Sequence, residues 1–191
     1  LEGQPRTDNG PWLPFKHHGG SAGPLRDGKG TTFEGGQRVP CVMWAPGRIP
    51  ANSECHELMG TIDLLPTIAA LTETPLPVGQ KIDGLNASSL LVGDKKSPRN
   101  EFLYYTSRGD LEGIRKDKWK LLVKKKRKPR NAGKNWKAPA PEILLFDIIS
   151  DMGEKTNLAN EHPQKVQELT VRMQNLDAEI TKNSREPWYK Q

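Results

Sequence analysis

Cysteine is scarce in this chain: it has two, Cys41 and Cys55. They lie too far apart for a Cys-x-x-Cys knuckle. The four histidines, His17, His18, His56 and His162, fall at no zinc spacing with them, so a structural zinc module is excluded. The two thiols are expected to be free and buried, with a disulfide closing a short loop as the alternative. No apolar run approaches the length of a membrane span, and no secretory leader opens the sequence. Aromatic residues are 6% and hydrophobic residues 34% of 191, which bounds the chain to a modest core in one domain or one and a half. The first residue is Leu1, so the chain is expected to be a piece of something longer.

Charge is plentiful but unevenly placed. From Arg115 to Lys137 there are twelve Lys or Arg against one Asp, leaving −5 for the rest of a chain whose total is +6. The basicity belongs to one segment, centred on Lys124-Lys125-Lys126-Arg127-Lys128-Pro129-Arg130. Clustered cations bind polyanions by counterion release. Runs of like charge also repel one another, and a solvated loop between strands is the favoured reading, with a glycan-facing loop second. Only Trp119 and Trp136 stand nearby and no nucleic-acid-binding pattern is present, so no nucleic-acid partner is expected.

Residues 10–36 hold eight glycines and three prolines, too many for a regular element. Gly23 to Lys29 has the Gly-x-x-x-x-Gly-Lys spacing of a phosphate-binding loop. Gly30 follows where that motif needs Ser or Thr, and no strand leads in, so a P-loop is rejected. Val39 to Trp44 reads as a short buried strand closed by Ala45-Pro46-Gly47. A helix is expected from Leu64, capped by Asp63, with Leu64, Leu65, Ile68, Ala69 and Leu71 as its apolar stripe, ending near Thr74-Pro75. Residues 75–98 read as connecting loop, with a helical turn at Ser88–Leu91. Asn86-Ala87-Ser88 fits a glycosylation sequon, a tripeptide frequent by chance. Phe102–Tyr105, Leu111–Arg115, Trp119–Val123 and Ile143–Ile148 read as strands of an antiparallel sheet. Val166, Leu169, Met173, Leu176 and Ile180 make the apolar stripe of a helix opened by Pro163 and packed on that sheet.

Two further features carry possible chemistry. Asp8-Asn9-Gly10-Pro11 sets two oxygen-bearing side chains on a tight turn, and Lys29 follows between Gly28 and Gly30. Asp-Asn-Gly is ordinary turn chemistry. It is also what a hard cation such as Ca²⁺ or Mg²⁺ takes as ligands, and a lysine ammonium suits an anionic ester.

These residues, with Leu25 to Pro40 including Gly28-Lys29-Gly30-Thr31-Thr32-Phe33-Glu34-Gly35-Gly36, and with Trp44-Ala45-Pro46-Gly47, closely resemble the sulfatase family. The resemblance runs on through Thr61 to Thr67, Ile82-Asp83-Gly84, Leu145-Phe146-Asp147 and Asn157-Leu158-Ala159, nearly the whole chain. It implies an α/β fold: the C-terminal portion of an alkaline-phosphatase-like sulfatase, with a small antiparallel sheet packed on a C-terminal helix. Residues 1–98 would belong to the catalytic domain and residues 99–191 would form the small subdomain.

By the same resemblance, Asp8 and Asn9 match the last two ligands of the family's calcium ion, with Mg²⁺ less favoured. Lys29 matches the lysine that contacts the sulfate group and its bridging oxygen. His18 lies where some relatives place an active-site histidine. The implied reaction is hydrolysis of a sulfate ester, with a sulfated glycan among the candidate substrates, in a periplasmic or secreted setting. The family's nucleophile is a formylglycine made from a Cys/Ser-x-Pro-x-Arg motif. No such motif occurs here, since Cys41 precedes Val-Met-Trp and Cys55 precedes His-Glu-Leu. In the family, Asp-Asn-Gly ends an apolar strand, whereas Gln4-Pro5-Arg6-Thr7 precedes it here. The chain alone is therefore expected to be a fragment with little activity. The alternatives are a non-catalytic module for anionic polymers and a related phosphoester hydrolase.

Overall fold

Four strands form where short β-prone runs meet tight turns: β1 (Glu101–Tyr105), β2 (Leu111–Lys116), β3 (Trp119–Lys124) and β4 (Glu142–Asp147). This is a computed structural model, and it describes residues 9–79, 81–93, 96–129, 131 and 135–184. The strands pair antiparallel in the order β1-β2-β3-β4. Lys116 stands opposite Trp119, so β2 and β3 are joined by two residues, with Asp117 at a φ of 53° as such a hairpin turn requires. Beyond β4, Asn157 acts as a side-chain stand-in for another strand. Its Oδ1 accepts the Leu145 N–H at 2.9 Å, and its Nδ2 donates to the Ile143 carbonyl at 3.0 Å.

Register assigns the two faces of the sheet. Leu103, Ile114, Leu121 and Leu145 stand in line across one face, and all four are buried. Helix α4 (Pro163–Asn183) covers it, with Leu169 and Met173 buried. Glu101 and Tyr105 share this face with Leu103. They reach the helix through Arg172 to Glu101 and through the Tyr105 hydroxyl, which donates to Asp177 at 2.8 Å. The opposite face carries Tyr104, Lys120, Leu122, Leu144 and Phe146. There Leu122, Leu144 and Phe146 cluster with Ile148 and with Phe33 from the glycine-rich segment. Both faces are covered, which is why a sheet of only four short strands has a dry interior.

The chain groups into two compact units: Leu1–Pro40 with Glu101–Asp177, and Cys41–Asn100 with Ala178–Gln191. The first forty residues thus group with the sheet. In the second unit, the helix expected from Leu64 forms as α2 (Leu64–Leu71), and α3 (Ser88–Leu91) follows the connecting loop. The α2 stripe differs from the expected one. Pro66, Thr67 and Ala69 are buried while Leu65 and Ile68 are exposed, because Thr67 Oγ1 turns inward to accept the Ala87 N–H at 2.9 Å.

Asp63 holds this unit together from just before α2. Its carboxylate accepts hydrogen bonds from Gly60 N–H, Leu85 N–H and the Arg99 guanidinium. Burial pushes its pKa up, but Arg99 and the two backbone donors outweigh that and hold it below the ordinary aspartate value.

Two expectations are corrected here. Val39–Trp44 forms no strand, and Val42 and Trp44 are 85% and 86% exposed. A β-prone run becomes a strand only where it pairs with an edge, and no described strand pairs with this one. Cys41 and Cys55 are free, as expected, but exposed and not buried, since both lie in the stretch 38–60, which forms no helix or strand. No described helix is long and apolar enough to cross a membrane.

Candidate functional site

The turn at Asn9 and the loop carrying Lys29 meet backbone to backbone. The Lys29 N–H donates to the Pro11 carbonyl at 2.9 Å. Glycine is required on both sides of this contact. A Cβ on Gly10 would stand 1.7 Å from the Gly35 carbonyl oxygen, and one on Gly28 would stand 2.3 Å from that of Pro11. The loop is then closed upon itself: Thr31 donates to the Gly28 carbonyl through N–H and Oγ1, and Gly35 N–H donates to the Arg26 carbonyl at 2.8 Å.

Just past Lys29 the loop is pinned to the sheet by three successive residues. Thr32 Oγ1 donates to Glu112 Oε2 at 2.5 Å. Phe33 enters the apolar cluster. Glu34, the first residue of the short helix α1 (Glu34–Gln37), reaches Lys120. Lys120 is fully buried on β3, and its ammonium lies 2.8 Å from Glu34 Oε1 and 2.9 Å from Glu154 Oε1. The first contact is an aligned hydrogen bond. The second is a charge contact only, since Glu154 Oε1 has no hydrogen-bond partner among the described residues.

Glu154 Oε2 in turn accepts the Glu34 N–H at 2.6 Å. Burial pushes the Glu154 carboxyl up, only partly offset by Lys120. Burial and then the Glu34 charge push the Tyr104 phenol well above its ordinary value, so it stays neutral. Two carboxyls and one ammonium thus share a dry site beneath the lysine loop.

With its backbone fixed, the Lys29 side chain is exposed. Its ammonium lies 5.6 Å from the centre of the Trp12 ring and makes no hydrogen bond or ion pair among the described residues. Trp12 N–H donates to the Gly19 carbonyl at 2.9 Å and closes the loop that holds the 3₁₀ segment Leu13–His18. His18 ends that segment with its side chain exposed. Asn9 is half-buried beside Gly10. Asp8 lies outside the described residues. The structure therefore brings the Asn9 turn against the Lys29 loop and places His18 on the adjoining closed loop.

The oxygen chemistry of a calcium site can be tested against these residues. Ca²⁺ takes six to eight oxygen ligands. The described part of the pair supplies one amide oxygen, from Asn9, and no described group of three or more His, Cys, Asp or Glu could hold a metal. The described residues thus supply one oxygen ligand of such a site, and no chemical step is derived through a calcium ion.

The Lys120–Glu34–Glu154 cluster was not singled out from sequence. A signal existed: Lys120 lies between Trp119 and Leu121-Leu122, an isolated cation inside a β-prone apolar run. What the sequence could not show is which distant carboxylates would meet it.

Residues 7–74 match the family model described as Sulfatase. The chain is similar to arylsulfatase A of Bos taurus, 37% identical over 194 residues, covering 92% of this chain and 38% of that protein. Among solved structures it is similar to the PsFucS1 sulfatase from Pseudoalteromonas sp., with a TM-score of 0.76 and 26% identity over 94% of this chain and 37% of that one. It is also similar to Ps i-CgsB in complex with k-i-k-neocarrahexaose, with a TM-score of 0.68 and 26% identity over 88% of this chain and 34% of that one. The chain thus spans 38% or less of the length of these relatives.

Proposed function

Since the chain belongs to the sulfatase family, we propose that it is the part of a sulfuric ester hydrolase that presents Lys29 to the sulfate group of the substrate. The observation that carries this reading is the state of Lys29: an exposed ammonium without an anionic partner among the described residues, on a loop whose backbone is fixed on both sides. A cation placed in advance where negative charge develops lowers a barrier without reorganising at the moment of reaction. Lys29 would contact a sulfate oxygen and the bridging oxygen. As the S–O bond breaks, charge builds on that bridging oxygen, and the ammonium would stabilise it.

Asp8 and Asn9 would contribute two oxygen ligands to a Ca²⁺ ion, in preference to Mg²⁺, whose remaining ligands come from other residues. His18 would face the substrate from the adjoining loop. Bond breaking needs a nucleophile, and the Cys/Ser-x-Pro-x-Arg motif is not among these 191 residues, so the isolated chain is expected to bind but not to turn over. A saccharide sulfate fits the reading, because one structural relative is complexed with an oligosaccharide. The setting would be periplasmic or secreted.

The test compares an aryl sulfate with an aryl phosphate as substrates. The enzyme would be a polypeptide joining these residues to a segment that bears the nucleophile motif. Hydrolysis of the sulfate in preference to the phosphate is expected. A preference for phosphate would move the chain to the phosphoester hydrolases.

A further inference from the structure

The basic loop between β3 and β4 leaves the sheet beside the segment that holds Lys29. Lys124, the last residue of β3, has its ammonium 4.5 Å from the centre of the Phe33 ring and 3.2 Å from Glu112 Oε2. That same Glu112 oxygen accepts the Thr32 hydroxyl. Thr32 is three residues from Lys29, so their Cα atoms are at most about 11 Å apart. The base of the loop and the segment that carries the candidate sulfate-binding lysine therefore meet at one carboxylate, through Lys124 and Thr32.

The cations of the loop fall into two groups. Lys124 and Arg127 are committed to the fold: Lys124 pairs with Glu112, and Arg127 donates to Asp110 Oδ2 at 2.7 Å and to Thr106 Oγ1 at 3.1 Å. Lys124 fastens the loop to β2, and Arg127 fastens it to the turn between β1 and β2. Lys125, Lys126 and Lys128 are exposed and make no hydrogen bond or ion pair among the described residues. Three uncommitted ammonium groups within four positions repel one another, and a polyanion would relieve that repulsion.

We propose that Lys125, Lys126 and Lys128 form a second anion subsite, which binds a sulfated polysaccharide along the chain from the ester held at Lys29. This rests on the reading of Lys29 given above and extends it from a sulfate ester to a polymer carrying several sulfates. A polysaccharide is favoured over a nucleic acid by what surrounds the cations. Single-stranded bases need aromatic faces to stack on. Here Phe33 is buried, Trp119 lies at the opposite end of β3, packed edge-on against His162 at 5.1 Å between ring centres, and Trp136, half-buried, is the single aromatic residue of the loop itself, too few for a run of stacked bases. Sulfates on a sugar chain need only point charges, which lysine supplies.

Heparin is the probe, measured against the 191-residue chain across a salt series, with neutral dextran and single-stranded DNA in parallel. The loop variant carries Lys125→Ala, Lys126→Ala and Lys128→Ala. A charge-matched control carries Lys81→Ala, Lys165→Ala and Lys182→Ala. The loop variant should bind heparin about tenfold or more weakly at low salt, with a salt slope smaller by about two to three. The control should keep the slope, and dextran should not bind. Equal loss in the control would reduce the effect to net charge and overturn the subsite. Unchanged heparin binding in the loop variant would do the same. DNA bound as tightly as heparin through the same three lysines would overturn the assignment to a polysaccharide. The readout is binding without turnover, so it can fail while Lys29 stands, and an inert Lys29 in hydrolysis leaves this readout to be judged by itself.

Discussion

The ammonium of Lys120 lies 2.8 Å from Glu34 Oε1, with neither side chain more than 2% exposed. That single contact joins the third strand of the sheet to the segment that positions Lys29, across 86 residues of sequence. Charges taken out of water are held only by good geometry, and removing one partner leaves the others uncompensated. Here the remainder would be two buried carboxyls.

Lys120→Met should therefore be strongly destabilising, by about 3–5 kcal/mol as seen for broken buried pairs. Glu34→Gln, which keeps the shape and lessens the imbalance, should cost less. Urea unfolding of the three proteins measures this. A Lys120→Met variant within about 1 kcal/mol of the parent would show that the cluster contributes little beyond its volume.

Two carboxyls should give opposite pH dependences. The Glu154 pKa is raised by burial, so its contribution is fully present below the ordinary glutamate value of about 4.3 and is lost as pH rises through the higher folded value. The Asp63 pKa is lowered, chiefly by Arg99 against the effect of burial. Its contribution is present above about 3.9 and is lost as pH falls through the lower folded value. Stability against pH should show Glu154→Gln gaining on the parent as pH rises above that glutamate value. Asp63→Asn should lose its disadvantage as the solution is acidified below about pH 4. The same trend in both variants would contradict the assignment.

The sheet and helix α4 should stand or fall together. Leu169 is 1% exposed over the face formed by Leu103, Ile114, Leu121 and Leu145. Leu169→Ala should cost about 2–5 kcal/mol, and Leu169→Asp should unfold the unit. Amide exchange of β2 and β3 reports it. Native protection throughout the sheet of the Asp variant would mean that the helix does not cover it.

The strands and α4 were legible because their signal is local: a short unbroken apolar run in Ile143–Phe146 bounded by acids, and the three-and-four spacing from Val166 to Ile180. Residues whose role is to satisfy backbone leave no such period. Asp63 was expected as the cap of α2, but its carboxylate makes no cap there and gathers Arg99 and two N–H groups instead; Asn157 was visible only through a family resemblance, and in the structure it caps the edge of β4. Val39–Trp44 misled because β propensity says nothing about where a partner edge comes from. The approach of Asn9 to Lys29 rests on two absent Cβ atoms, at Gly10 and Gly28, and glycines in a glycine-rich stretch do not announce which of them are contacts.

The central claim is that Lys29 acts on the sulfate group, and aryl sulfate hydrolysis by Lys29→Ala tests it most directly. The assay uses a polypeptide that joins this chain to the nucleophile motif, with Lys29→Arg alongside as a variant that keeps the charge. Lys29→Ala should lower kcat by about 10²–10³-fold, as for the loss of one group that stabilises developing charge, with Lys29→Arg falling between it and the parent. A Lys29→Ala enzyme with the parent's kcat and KM would contradict the account and remove this lysine from the site.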